Sequence, residues 1–194
     1  MGLWSSGMTR HSHCRSGSPI LHRSTDMYFL LLIALIIMLV SFAYGGFLAA
    51  PWVPTRASDV KRFLKHAGDI RGKKMYDLGC GDGRIVCAAA RAGADAEGYE
   101  ISIFPYILAR IRSLFGYGKV KMRFRNFWGK DFSDADVVYF FLMPKAALRL
   151  RSKFERELRP GTLILSYAFT MPGWTPAVVD VVEGRPKLYI YRVP

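Results

Sequence analysis

A segment at residues 73–78 that reads as a strand runs straight into Gly79-Cys80-Gly81-Asp82-Gly83, and an alanine-rich segment, Arg84–Arg91, follows at once. Glycines at alternate positions let the chain reverse within a few residues and bring backbone N–H groups close to a bound ligand. A strand feeding such a turn, with a helix after it, is the opening unit of a parallel sheet wound with helices. Gly93 then stops the helix.

The alternation continues downstream. Residues 95–101 form a second expected strand ending in Tyr99-Glu100, and residues 103–115 a helix with Pro105 in its first turn. Basic and apolar residues alternate over 120–127, the period-2 pattern of a strand. Residues 136–143 are almost purely apolar, as a strand buried on both faces requires. A helix over 146–158 and strands over 161–169, 177–183 and 187–193 complete the pattern. Gly184-Arg185-Pro186 joins the last two as a hairpin, and the loop before them, with Pro172-Gly173-Trp174-Thr175-Pro176, carries no helix. The expected fold is α/β: a Rossmann-like, doubly wound, mostly parallel seven-stranded sheet with a C-terminal antiparallel hairpin.

Hydrophobic residues make up 51% of the chain, and much of the excess sits in residues 27–50, which contain no charge. About 20 apolar residues suffice for a helix to cross a bilayer core. A signal peptide is the alternative, because Arg23 precedes the run and Gly45, Gly46, Ala49 and Ala50 end it. Pro51 and the length of the run favour an uncleaved, single-pass transmembrane helix. Residues 1–26, rich in Ser, Gly, His and Arg, are expected to be a disordered tail, with His11, His13 and His22 solvated. The proline-containing residues 51–57 form a linker, and the α/β domain occupies 58–194, opening on a short helix capped by Ser58 or Asp59.

Residues 1–57 hold four of the basic residues (Arg10, Arg15, Arg23, Arg56) and Asp26. That leaves 24 of the 28 basic and 14 of the 15 acidic residues in the domain, a net charge of +10. Basic residues are denser after the apolar run than before it, so the positive-inside rule puts the domain on the cytoplasmic side. Cys14, Cys80 and Cys87 form no CxxC pair and have no histidines at metal-ligand spacing, so neither a disulfide framework nor a metal site is expected.

Ligands of an open parallel sheet bind beyond the carboxyl ends of its strands. The spacing here is Gly-x-Gly-x-Gly, whereas dinucleotide sites use Gly-x-Gly-x-x-Gly. Asp77 and Asp82 are ill suited to a pyrophosphate but suit the cationic aminoacyl end of S-adenosylmethionine (SAM). Glu100, ending the second strand, is placed to accept hydrogen bonds from both ribose hydroxyls. SAM is therefore the expected cofactor.

Asp77-Leu78-Gly79-Cys80-Gly81-Asp82-Gly83-Arg84-Ile85, followed by Tyr99-Glu100-Ile101, resembles the cofactor motif of class I SAM-dependent methyltransferases. More narrowly the chain is similar to the small membrane-anchored protein-lysine methyltransferases that act on the ATP synthase c subunit and the adenine nucleotide translocase. Pro51-Trp52-Val53-Pro54-Thr55, Asn126-Phe127-Trp128, Met143-Pro144 and Pro172-Gly173-Trp174-Thr175-Pro176 carry this likeness. The resemblance implies that Asp77, Gly79, Gly81 and Gly83 hold the aminoacyl end, Glu100 the ribose and Asn126 the adenine, with Asp82 added as a cofactor residue on its charge. Eukaryotic relatives carry an acidic residue at the position of Asn126, whose carbonyl oxygen can still accept from the adenine amino group.

No Asn-Pro-Pro-Tyr or Asp-Pro-Pro-Tyr follows the fourth strand; Phe140-Phe141-Leu142-Met143-Pro144 stands there instead. An apolar wall suits a desolvated lysine chain, whose amine loses its proton more readily there. Trp128, Tyr139, Pro144 and Trp174 are the candidate walls of the acceptor slot, and no general base stands out. The expected partner is a membrane-embedded or membrane-associated protein. Methylation of a small molecule or lipid is the second reading, and nucleic acid ranks last, since the basic residues lack an interleaved aromatic stripe.

Overall fold

The computed structural model describes residues 19–48, 53–115 and 118–194, with side chains inside the first helix described for 25–41 and 43. The chain divides into two compact units, Met1–Ile37 and Met38–Pro194. Helix α1 spans Pro19–Leu48. It opens eight residues before the apolar run, so residues 19–26 are helical rather than part of a disordered tail, while 1–18 lie outside the described residues. Proline is well suited to a first helical turn because its fixed φ is already helical and its missing N–H has no partner to lose. Among the described residues no helix is long and apolar enough to cross a membrane.

Helix α2 (Ala57–Ala67) is followed by β1 (Lys74–Leu78), α3 (Arg84–Arg91), β2 (Asp95–Glu100), α4 (Ile103–Ser113) and β3 (Val120–Phe124). Then come β4 (Val137–Phe140), α5 (Pro144–Glu157), β5 (Leu163–Tyr167), β6 (Val178–Asp180) and β7 (Leu188–Arg192). The sheet has seven strands in the order β3-β2-β1-β4-β5-β7-β6. Strands β1 to β5 are parallel, while β7 runs antiparallel between β5 and β6. Strand order reverses at β1, so the crevice beyond its carboxyl end is where such a sheet binds ligands.

Alternation of side chains through the sheet separates two cores. Val137 and Tyr139 of β4, with Leu163, Leu165 and Tyr167 of β5, pack under α2, α3 and α4. Val138 and Phe140, with Tyr76, Leu78 and Ile164, pack against Leu150 and Phe154 of α5.

Several boundaries differ from expectation for identifiable reasons. Strand β3 ends at Phe124 because Asn126 Oδ1 accepts the Trp128 N–H at 3.0 Å and caps a 3-10 turn, Phe127–Gly129. Strand β5 ends at Tyr167 because Ala168 takes φ 71°, a left-handed conformation that breaks a ladder. Helix α5 starts earlier than expected, with Pro144 in its first turn. Neither Ser58 nor Asp59 caps α2: Arg56 holds the N-cap position with no side-chain bond. Asp59 turns inward instead, accepting from Arg62 and from the Tyr167 hydroxyl, both at 2.9 Å.

Candidate active site

The turn after β1 is built by backbone geometry. Gly79, Gly81 and Gly83 all have positive φ, between 54° and 78°. At Gly83 a Cβ would lie 2.9 Å from Met122 Cε and 3.1 Å from Ala109 Cβ, so both the conformation and the space require glycine. The turn is docked onto the end of β2: the Gly79 and Cys80 N–H groups both donate to Tyr99 O at 2.9 Å. Gly98 makes that approach possible, since a Cβ there would meet Cys80 Sγ at 2.9 Å.

A cleft of about 820 Å³, counted to its open mouth, lies over the carboxyl ends of β1, β2 and β4. Asp77, Gly79, Gly81 and Asp82 line it together with Glu100 and Asn126. Six of the seven residues expected at the cofactor therefore meet there, and Gly83, the seventh, shapes the turn behind them.

Asp77 is 2% exposed. Burial drives its carboxyl well above the usual carboxylate range; a hydrogen bond from the Val86 backbone opposes this, and the nearby Glu100 and Asp82 reinforce it. A cationic group arriving beside Asp77 would relieve that strain, which fits the ammonium of SAM.

Glu100 is committed more deeply than expected. Its Oε2 accepts the Gly81 N–H at 2.9 Å, and its Oε1 accepts the Ile101 and Ser102 N–H groups, both at 2.8 Å. A carboxylate offers about four lone-pair positions, so one, on Oε2, is left for a ribose hydroxyl rather than one for each. The same bonds bind Glu100 and the glycine turn into one rigid cradle.

Asp82 departs further from its expected role. Its Oδ2 accepts from Arg84 Nε at 2.8 Å and from Arg112 Nη2 at 2.9 Å, so two guanidiniums already match its charge. Arg84 Nη1 also donates to Thr55 O at 2.8 Å, pinning the linker to the glycine turn. Val53 and Thr55 consequently line the cleft. Asn126 lines it too, although its carbonyl oxygen already spends one lone pair on the Trp128 N–H.

The four acceptor-slot candidates divide in half. Tyr139 and Trp128 line the cleft, joined by Phe141 and Leu142. Tyr139 also hydrogen-bonds Thr55, and burial pushes its phenol well above the ordinary value. Trp128 stacks under Arg149, whose Cζ lies 4.2 Å from the ring centroid. Pro144 is exposed and starts α5, outside the cleft lining. Trp174 packs on Tyr191 with ring centroids 6.2 Å apart and donates to Glu155 at 3.2 Å, so it too is outside the lining. Thr55 was not among the expected site residues, whereas Phe141 and Leu142 belong to the apolar stretch expected to wall the acceptor slot. Phe141 sits in the apolar stretch after β4, and its contacts with Tyr167 and Phe169 form a second aromatic layer. Among the described residues no group of three or more His, Cys, Asp or Glu is arranged to hold a metal ion.

Comparison with known proteins agrees with this geometry. The model of the ANTKMT methyltransferase domain family matches residues 77–178. A protein-lysine N-methyltransferase of Saccharolobus islandicus is 37% identical over 146 residues, covering 73% of this chain and 91% of that protein. The human lysine N-methyltransferase of the ATP synthase c subunit is 34% identical over 70% of this chain, which spans 57% of the human protein's length. Among solved structures, an RNA methyltransferase from Salinibacter ruber in complex with S-adenosyl-L-homocysteine is 35% identical with a TM-score of 0.67. The match covers 73% of this chain and 94% of that one.

Proposed function

We propose, from the premise that this chain belongs to the ANTKMT methyltransferase family, that it methylates a lysine side chain of a membrane or membrane-associated protein. Bound SAM supplies a methyl group on a sulfonium sulfur, open to direct displacement by an amine. The residues present fit that cofactor. Asp77 and the backbone of Gly79 and Gly81 would hold its aminoacyl end, the free Oε2 position of Glu100 its ribose, and Asn126 the adenine edge. Asp82 contributes by fastening Arg84 and Arg112 behind the turn rather than by meeting the cofactor's charge.

The observation that carries the lysine reading is the wall of Tyr139, Phe141 and Leu142 beside Asp77, closed over by Val53 and Thr55. A lysine butyl chain packs well against such surfaces, and desolvation lowers the cost of losing the ammonium proton. The residues then have two tasks: to exclude water and to align the neutral amine with the sulfonium methyl. The proton leaves to solvent before alignment, so no protein base is required.

The uncharged sequence of residues 27–50 favours a single membrane span and the basic residues after it the cytoplasmic face, although the described part of α1 is not by itself long and apolar enough to cross a bilayer. Most of the described apolar side chains of that helix are exposed, Met27 to Ile37 among them, with Met38 half-buried. The substrate for which the human relative is named, the ATP synthase c subunit, agrees with an acceptor in or near the bilayer. A second reading, RNA methylation, draws on the Salinibacter ruber structure and on the +10 domain charge. Comparing lysine methylation across the membrane proteome with and without the gene separates the two. Loss of methyl-lysine at a defined membrane protein supports the first reading, and an unchanged profile with loss of a methylated nucleotide supports the second.

A further inference from the structure

Phe169 lies two residues past β5 and stacks on Phe141, which follows β4 directly and lines the cleft. The ring centroids are 6.5 Å apart and the ring planes 27° apart. Strands β4 and β5 are neighbours, with Phe140 opposite Ser166, so the two rings stand side by side at the carboxyl edge of the sheet. Both are half-buried, whereas Tyr139 and Tyr167, the aromatic residues two places before them, are buried. The pair thus continues the apolar wall of the cleft by one ring beyond its lining.

The backbone is turned to bring Phe169 there. A strand running on past Tyr167 would carry the chain onward along its own axis. Ala168 instead takes φ 71°, a left-handed conformation that is costly for any residue with a Cβ. The Ala168 N–H donates to Lys187 O at 2.8 Å, and Ser166 Oγ donates to Phe169 O at 2.6 Å, so the turn is held on both sides. Tyr167 meets Phe141 edge-on with centroids 5.0 Å apart, and its hydroxyl is fixed by Asp59 at 2.9 Å. Strained backbone that its surroundings enforce is found at ligand clamps.

The dimensions match the acceptor proposed above. A lysine stem, with bonds of about 1.5 Å, spans about 6 Å from Cα to Nζ when extended, close to the 6.5 Å between the two rings. We infer that Phe169 is a specificity-determining residue, forming with Phe141 an apolar ledge for the methylenes of the acceptor lysine nearest its backbone. The amine end then lies along Tyr139 and Leu142 toward Asp77, within the cleft lining. A long unbranched amine gains contact with both rings, and a short or polar acceptor does not. The inference rests on the lysine reading of the cleft.

The test uses the detergent-solubilised full chain and two analogues of SAM in which a tertiary nitrogen replaces the sulfur. One keeps the methyl group; the other carries n-hexyl in its place, standing in for the lysine chain. Calorimetry gives the affinity of each for the parent, for Phe169→Ala and for Phe169→Gln, which keeps the bulk should the alanine variant not fold. The hexyl analogue is expected to bind the parent at least about tenfold more tightly than the methyl analogue. Both variants should lose most of this gain while binding the methyl analogue as the parent does. A gain that persists in the variants, or an equal loss of affinity for both analogues, overturns the role of Phe169 and leaves the lysine reading standing. A parent that gains nothing from the hexyl chain lacks the slot, and the lysine reading falls together with the inference.

Discussion

Asp77 on β1 and Tyr139 on β4 are register partners in the parallel sheet, and both line the cleft. Burial raises both groups above their ordinary values, and the Asp77 carboxylate is the leading charge acting on the Tyr139 phenol. The floor of the site therefore holds a neutral phenol beside a carboxylate whose charge is costly until a cation arrives. Cofactor affinity and domain stability are coupled through this pair.

Asp77→Asn separates the two. The folded carboxyl titrates above the unfolded value of about 4. The unfolded chain thus loses its proton first, and stability falls as pH rises from there through the raised folded value. The asparagine variant lacks this loss, so its stability relative to the parent should rise between pH 4 and pH 8 in thermal denaturation without cofactor. Its affinity for SAM by calorimetry should fall at least about tenfold, as for a lost charge-assisted bond.

Gly83→Ala should destabilise the domain by about 2 kcal/mol or more, from the left-handed conformation and the contacts with Met122 and Ala109. Denaturant unfolding checks this. Gly184→Ala, at a positive φ with open space around it, lacks the packing component and should cost less.

Arg84→Ala should leave the fold intact, since Arg112 still matches Asp82. It releases Thr55 from the glycine turn, and with it the linker that roofs the cleft. SAM binding should weaken by about tenfold, the value of one hydrogen bond to a charged donor, with little change in melting temperature.

The two tryptophans should behave oppositely. Trp128→Ala removes a cleft wall and the ring stacked under Arg149, and should lower turnover. Trp174→Phe keeps an aromatic ring against Tyr191 and loses only the bond to Glu155, so its activity should match the parent. Steady-state kinetics on the two variants decides the point.

Features set by local chemistry were legible in the sequence. Helix α3 has the expected bounds because Gly83 and Gly93 delimit it in backbone terms. The seven strands follow from hydrophobic period, and the cofactor cradle follows from glycine spacing and Glu100. What was not legible depends on partners far along the chain. Asp59 has the residue type and position of a helix cap, yet it is taken by Tyr167, 108 residues away. Asp82 looks available for a cationic ligand until Arg112, 30 residues on, claims it. Trp174 and Pro144 sit in the right loops, but packing on Tyr191 and the start of α5 direct them away from the cleft. Spacing in sequence carries no record of such contacts.

The most direct measurement incubates the detergent-solubilised chain with methyl-labelled SAM and host membranes, then separates protein, lipid and RNA before acid hydrolysis. The expected result is label in a discrete membrane-protein band, recovered as methyl-lysine and absent with Asp77→Asn. Label confined to the lipid or RNA fraction, or a protein band yielding no methyl-lysine, would contradict lysine methylation as the function of this site.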